Sequence, residues 1–334
     1  MSIEPQTAMK ALLESSSTVT LRPRYEGNNI CTWIGFKHVN YLVEEAVLDH
    51  FRSAGLPSRR LFEEFGLGLE LVAIDTRILN AFHLDDEAVA EVTPVGSADG
   101  VLSFKVAISK AGQSAKDVTS KVKVSLRRET YIDPANSVPE ELAGHVTDRI
   151  GGAEPGDAVA ADGPTPLADG RGTTGTDPVL AHLLAGNNAT GWKWRIPYPY
   201  CHNNERLQMS GYLRLMEEVV DLFLAERGIS IKTLLDDRRW IPVVPHSKIT
   251  MLDEVYMEED LYTIYTVENI FKDVTYTSRM DNYVVRDGRL VHVAEGTITH
   301  GYAVIDNRRD WSLVNFDAHV LAALRGEASG ATKG

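Results

Sequence analysis

YPYCHNNERLQMSGYLRLMEEVVDLFLAERG, residues 198–228, changes character part-way along. Cys201 to Glu205 forms a short polar loop, after which Tyr212, Leu215, Met216, Val219, Val220 and Phe223 recur at helical spacing. Gly228 stops the helix, as glycine commonly does just past a helix end. The same grammar stands 173 positions upstream, where Tyr25, Leu42, Glu44, Glu45, Val47 and Gly55 fall on Tyr198, Leu215, Glu217, Glu218, Val220 and Gly228 without a gap. Leu61 falls on Leu234, and the acidic run Asp85–Glu87 falls on Glu258–Asp260. Single identities carry little weight, but an offset held through helix, turn and acidic corner marks a tandem duplication of one unit.

The chain of 334 residues is long enough for two domains, each burying its own core. With 43% apolar and 24% charged residues it has a globular balance, and no run reaches the apolar length of a membrane span. The start, MSIEPQTAMKALLESSS, lacks the apolar centre of a signal peptide. Two cysteines, Cys31 and Cys201, make no disulfide framework, so the expected compartment is the cytoplasm. A net charge of −13 without a basic stripe argues against nucleic acid, and repels an acidic carrier protein rather than steering it in.

Each unit reads as strand, long helix, then four antiparallel strands. In the first, Val19–Tyr25 alternates as a strand, His38–Ser53 is the helix, and strands follow at Leu69–Leu79, Ala88–Pro94, Val101–Ser109 and Val118–Arg127. In the second, the helix spans Met209–Arg227, between a strand at Lys193–Tyr198 and strands at Ile241–Met251, Leu261–Val267, Val274–Val285 and Leu290–Ile305. A closing helix is expected over Asp310–Leu324, with Asp310 as its N-cap. The expected division is an N-terminal arm over 1–17, a first domain over 18–132, a linker over 133–190, a second domain over 191–325 and a tail over 326–334. The linker is rich in Gly, Ala, Pro, Asp and Thr and too poor in large apolar residues to fold alone. A sheet with one apolar face needs a cover, and one long helix of matching length supplies it, which makes the fold class α+β.

This order, with GYLRLMEEV over Gly211–Val219 placing an arginine and an acidic pair after an aromatic residue, resembles the hotdog fold. The closest likeness is to the 4-hydroxybenzoyl-CoA thioesterase branch, arranged as two tandem hotdog domains that form a pseudo-dimer within one chain. The resemblance covers residues 18–130 and 191–306. It implies hydrolysis of an acyl thioester of coenzyme A or of a carrier protein, with no cofactor and no metal. A homodimer of double hotdogs and a place in polyketide-type metabolite biosynthesis are further expectations. The rivals are a dehydratase or acyltransferase working on a thioester, and a non-catalytic acyl-binding module.

Thioester hydrolysis needs donors for a developing oxyanion and a base or nucleophile for the acyl carbon. Helix starts supply such donors as unpaired amides, here around Ser210, Gly211 and Tyr212, or around His38 in the first unit. The branch carries an aspartate in the preceding loop, where this sequence has Tyr200 in the second unit and Gly27 in the first. The candidate catalytic groups are therefore His202 and Glu205 in the loop, or Glu217 and Glu44 on the helices, where other branches place the acid. Tyr200, Asn203, Ser210, Gly211, Tyr212 and His38 are the candidate substrate-binding residues. Plainer accounts stand beside these: Glu217 and Glu44 also suit a solvated helix face, His202 suits turn chemistry, and Cys201 suits a packed thiol. His292 and His300 alternate along one strand and read as structural. The chain has no G-x-S-x-G, P-loop, G-x-G-x-x-G or H-E-x-x-H motif.

Overall fold

The computed structural model describes residues 4–163, 177–201 and 203–327, so His202 lies outside the described residues. The first unit runs α1 (Pro5–Glu14), β1 (Ser17–Leu21), α2 (Phe36–Ser53), α3 (Ser58–Phe65), β2 (Leu67–Ile78), β3 (Ala88–Ala98), β4 (Val101–Lys110) and β5 (Val118–Arg128). A connecting stretch carries α4 (Glu140–Ala143), β6 (Val146–Thr147) and α5 (Pro178–Leu184). The second unit runs β7 (Ala189–Arg195), α6 (Met209–Glu226), α7 (Ile231–Arg238), β8 (Trp240–Met251), β9 (Asp260–Phe271), β10 (Thr275–Arg286), β11 (Arg289–Asp306), β12 (Asp310–Leu313) and α8 (Ala318–Arg325).

The duplication is visible residue by residue. Helices α2 and α6 each have 18 residues, and they start at Phe36 and Met209 and end at Ser53 and Glu226, the same 173-residue displacement. Strands β2 and β8 keep it, and so do the left-handed corners at Asp85 (φ 71°) and Glu258 (φ 70°). Each long helix buries one stripe, Val39, Val43, Val47 and Phe51 in α2 and Tyr212, Met216, Val219 and Phe223 in α6. Gly55 and Gly228 close the two helices with positive φ, where a side chain would be strained.

Among the described residues, the strands form one antiparallel sheet in the order β1-β3-β4-β5-β2-β8-β11-β10-β9-β7, with β6 parallel to β5 and β12 against β11. Five strands of each unit wrap that unit's long helix, and the two sets meet where β2 pairs with β8, from Ala73 opposite Thr250 to Arg77 opposite His246. This is a tandem hotdog architecture. Two expectations need correction. Asp310–Leu313 is a strand rather than a helix start, because it folds back on β11, with Leu313 opposite Ala303. Asp317, not Asp310, caps the last helix by accepting the Val320 N–H at 2.9 Å. The N-terminal segment, expected as a peripheral arm, buries Ala8, Met9 and Leu12 against the core.

The seam between the units carries a buried polar network. The Asn40 amide on α2 donates to the Phe36 carbonyl at 2.9 Å and to Ser247 Oγ on β8 at 3.1 Å. It accepts from Thr76 Oγ1 on β2 at 2.7 Å, and Thr76 in turn meets Ser120 Oγ on β5 at 2.8 Å. Buried hydroxyls left without partners are costly. Asn40→Ala should therefore destabilise the protein by about 2 kcal/mol in urea unfolding, well beyond the loss of one amide group from a surface position. A loss near zero would show that the network does not hold the seam.

Candidate active site

A cavity of about 590 Å³ opens between the start of α2 and the middle of α6. Its walls are mostly apolar and include Trp33 and Phe36 beside the helix start, Val220 on α6, and Ile241 and Val243 on β8. This size and lining suit a small organic ligand. Glu217 on α6 brings a carboxylate into the lining. Lys37, in the first turn of α2, forms an ion pair with that carboxylate, its side chain 17% exposed and that of Glu217 46% exposed. The pair ties one unit's helix start to the other unit's helix.

The helix start itself is set by a tight local fold. The Gly35 N–H donates to the Gly27 carbonyl at 3.0 Å, and Gly35 then accepts from His38 and Val39 at 3.0 and 3.1 Å. Gly35 has no side chain to cap the helix, and among the described residues the Phe36 and Lys37 N–H groups have no acceptor. The free Phe36 amide and the positive end of the helix dipole therefore border the same cavity as Glu217. Gly27 is required where it stands, because a Cβ there would lie 2.7 Å from the His38 ring. His38 is buried, with Nε2 at 3.2 Å from Glu26 Oε1, and burial holds its imidazole below the usual range despite that carboxylate.

The equivalent place in the second unit is filled. The displacement of 173 residues puts Arg206 where the first unit has Trp33, and Glu70 where the second unit has Val243. Arg206 is 3% exposed and pairs with Glu70 at 2.8 Å and with Glu129. Asn204 donates to Glu70, and Arg127 pairs with Glu254 at 2.9 Å while Glu254 also accepts the Ile150 N–H at 3.0 Å. Buried charges are tolerable only when paired and hydrogen-bonded in this way. What remains beside this network is a void of about 10 Å³.

The structure distributes the expected site residues unevenly. Glu217 lines the large cavity, whereas Asn203 and Glu205 are exposed on the second unit's loop and do not. Ser210 and Gly211 sit at the α6 start, with the Ser210 carbonyl 3.4 Å from the Tyr41 hydroxyl and Gly211 packed against the Tyr200 carbonyl. Tyr200 lies edge-on to Trp194 and beneath the Arg214 guanidinium. Tyr212 is 1% exposed and packs into the core, where it holds the helix to the sheet. Cys201 has its thiol pushed up to about 11 by burial, which disfavours the thiolate that a nucleophile requires. Lys37 escaped the sequence reading, since its partner lies 180 residues away.

A model of the thioesterase-like superfamily matches residues 199–324. No curated protein matches the chain by sequence. Among solved structures, a Lactobacillus plantarum protein assigned as an oleoyl thioesterase is similar over 88% of this chain and 98% of its own, with 12% identity and a TM-score of 0.57. The 12:0-ACP thioesterase from Umbellularia californica is similar over 85% of this chain and 93% of its own, with 10% identity and a TM-score of 0.56. An acyl-ACP thioesterase from Bacteroides thetaiotaomicron is similar over 85% and 97%, with 9% identity and a TM-score of 0.51. At these identities the likeness establishes the fold.

Glu44, the counterpart of Glu217, is half-buried and has no ion-pair partner among the described residues. Burial first, and the neighbouring Glu45 second, push its carboxyl up to about 7. A carboxyl held above its unfolded value contributes stability at low pH and loses it as the pH rises towards about 7. Glu44→Gln should thus raise Tm by a few degrees at about pH 8 and by less at about pH 5, as followed by thermal melts. Equal shifts at both pH values would remove burial as the cause.

Proposed function

We propose that this tandem hotdog chain, whose second half matches the thioesterase-like superfamily, hydrolyses an acyl thioester of coenzyme A or of a carrier protein. The observation that carries this reading is the shared border of the cavity. The free Phe36 amide, the Glu217 carboxylate and an apolar chamber meet at one place, and the free Lys37 amide is next along the helix. The acyl group occupies the chamber, and a chain of the fatty or polyketide type suits its walls of Trp33, Phe36 and Val243. The pantetheine arm reaches in past the α2 start and sets the thioester carbonyl against the helix.

The residues then divide the work. Glu217, held by its ion pair with Lys37, takes a proton from water as the water oxygen adds to the acyl carbon. The negative charge that develops on the carbonyl oxygen is met by the Phe36 and Lys37 N–H groups. Collapse of this tetrahedral species breaks the carbon–sulfur bond. The sulfur leaves with the proton that Glu217 had taken, giving a thiol and a carboxylic acid. Water is the nucleophile in this reading, since among the described residues the cavity lining has no serine or cysteine.

Free-thiol release from a panel of acyl-CoA and acyl-phosphopantetheine thioesters tests the assignment. Glu217→Gln should lower kcat at least about 100-fold, and Lys37→Met should lower it about tenfold with the base left in place. Loss in Glu44→Gln with Glu217→Gln near wild type would move the chemistry to the α6 start. No thiol release across the panel would leave the fold to a transferase, dehydratase or acyl-binding role.

A further inference from the structure

Strand β12 walls part of the cavity with two apolar side chains that the described residues leave half uncovered. Its sequence, Asp310-Trp311-Ser312-Leu313, alternates polar and apolar, so Trp311 and Leu313 share one face. Both line the cavity, yet they are 48% and 54% exposed, and Leu79, just past the end of β2, lines it at 62%. A strand that alternates in this way normally turns its apolar face to a core. Trp311 is anchored all the same, with its ring edge-on to that of the buried Trp33 at 6.2 Å. Exposed apolar surface continuous with a cavity marks a place where a ligand completes the packing.

The other unit shows what this place in the sheet holds when no chamber is left. Leu67 and Trp240 start β2 and β8 at equivalent positions, and they pair with Arg128 and Val304. Arg127 and Ala303, one residue back, therefore hold the same place in the two units. Beside Arg127 lies Thr147 of β6, in a parallel strand, and beside Ala303 lies Leu313 of β12, in an antiparallel one. Strand β6 packs Val146 against the core and leads to Ile150 at the void of about 10 Å³. Strand β12 instead presents Trp311 and Leu313 to the cavity of about 590 Å³. The same edge is closed in one unit and left as an apolar wall in the other.

We propose that Trp311 and Leu313 are specificity-determining residues that pack against the far part of a long, straight acyl chain. Their distance from the reacting end sets that preference. Met216, the neighbour of Glu217, rests over Gly296 on β11, whereas Leu313 lies beside Ala303, seven residues further along that strand. At the rise of an extended strand that is roughly 20 Å, which a short acyl chain leaves empty and a long one covers. Between the two ends Val220, Val243 and Trp33 keep the lining apolar, so a hydrocarbon chain meets no polar group that it would leave unpaired there. Covering Trp311 and Leu313 removes apolar surface of both protein and chain from water, a gain available only to a chain long enough to reach them.

This inference rests on the thioester reading, so the test separates binding from turnover. Butanoyl-, octanoyl- and myristoyl-CoA are titrated calorimetrically into the Glu217→Gln protein, with and without a second substitution on β12, and thiol release from the same three is followed with Glu217 intact. Myristoyl-CoA should bind at least about 100-fold more tightly than butanoyl-CoA. Trp311→Ala should weaken myristoyl-CoA about tenfold and Leu313→Ala a few-fold, with butanoyl-CoA held within about twofold and kcat/KM showing the same split. Trp311→Phe, which keeps an apolar ring, should retain most of the myristoyl affinity. Circular dichroism confirms that each variant is folded. Losses equal for all three chains, or no loss for the myristoyl chain, would overturn the assignment whether or not thiol is released. A loss that grows with chain length, without thiol release, would uphold it and overturn hydrolysis instead.

Discussion

The pairing of β2 with β8 is the constraint on which the rest of this molecule depends. Each unit alone would end in an exposed strand edge with unpaired N–H and C=O groups. Joining the two edges satisfies both and places α2 and α6 side by side over one continuous sheet. Only in that arrangement can Lys37 of one unit reach Glu217 of the other, or Asn40 reach Ser247. The large cavity is likewise a product of the seam, since its walls are drawn from β8, β11 and α6 as well as from the first unit's loop.

The two helix starts answer the same geometric problem with opposite chemistry. Over the first turn of α2, Gly27 makes room for His38, whereas over α6 Gly211 makes room for Tyr200, so large and small have changed places at equivalent positions. The contrast is wider one layer down. Trp33, Val243 and His300 leave an apolar chamber on one side, while Arg206, Glu70 and Arg127 fill the other with paired charges. A buried ionic cluster contributes little net stability compared with apolar packing, but once one member is present the others are needed. The connecting stretch adds to this closure, as Arg149 grips Asp253 at 2.7 Å and Ile150 packs beside Glu254.

Much of this was written in local pattern. The helices, most strand positions and the duplication follow from spacings of three, four and two residues and from one fixed offset, because backbone hydrogen bonding imposes those periods wherever one face is buried. The C-terminal strand was not legible, since Asp310-Trp311-Ser312-Leu313 carries a capping residue and helical spacing but gains more by pairing with β11. The weight of chemistry was also misjudged from local density. Cys201 to Glu205 is the richest polar loop in the chain, yet Asn204 turns inward to Glu70 while Glu205 faces out. Lys37 looked unremarkable, because its meaning comes from Glu217, far away in sequence.

Fusing two hotdog units in one chain removes a restriction that a symmetric homodimer cannot escape. In a homodimer every residue appears at both equivalent sites, so a tryptophan that opens one chamber opens the other, and a lysine that charges one helix start charges both. Here the copies are free to differ. Lys37 faces Glu217 at one crossing of the helices, whereas the matching pair at the other crossing is Ser210 and Glu44, which lacks the cation. Without that cation burial leaves Glu44 with a raised pKa, while Glu217 keeps an ionic partner. The same freedom turns one potential chamber into a rigid buttress. It concentrates the free Phe36 amide, the paired carboxylate and the apolar volume at a single place, walled by the sheet that both units share.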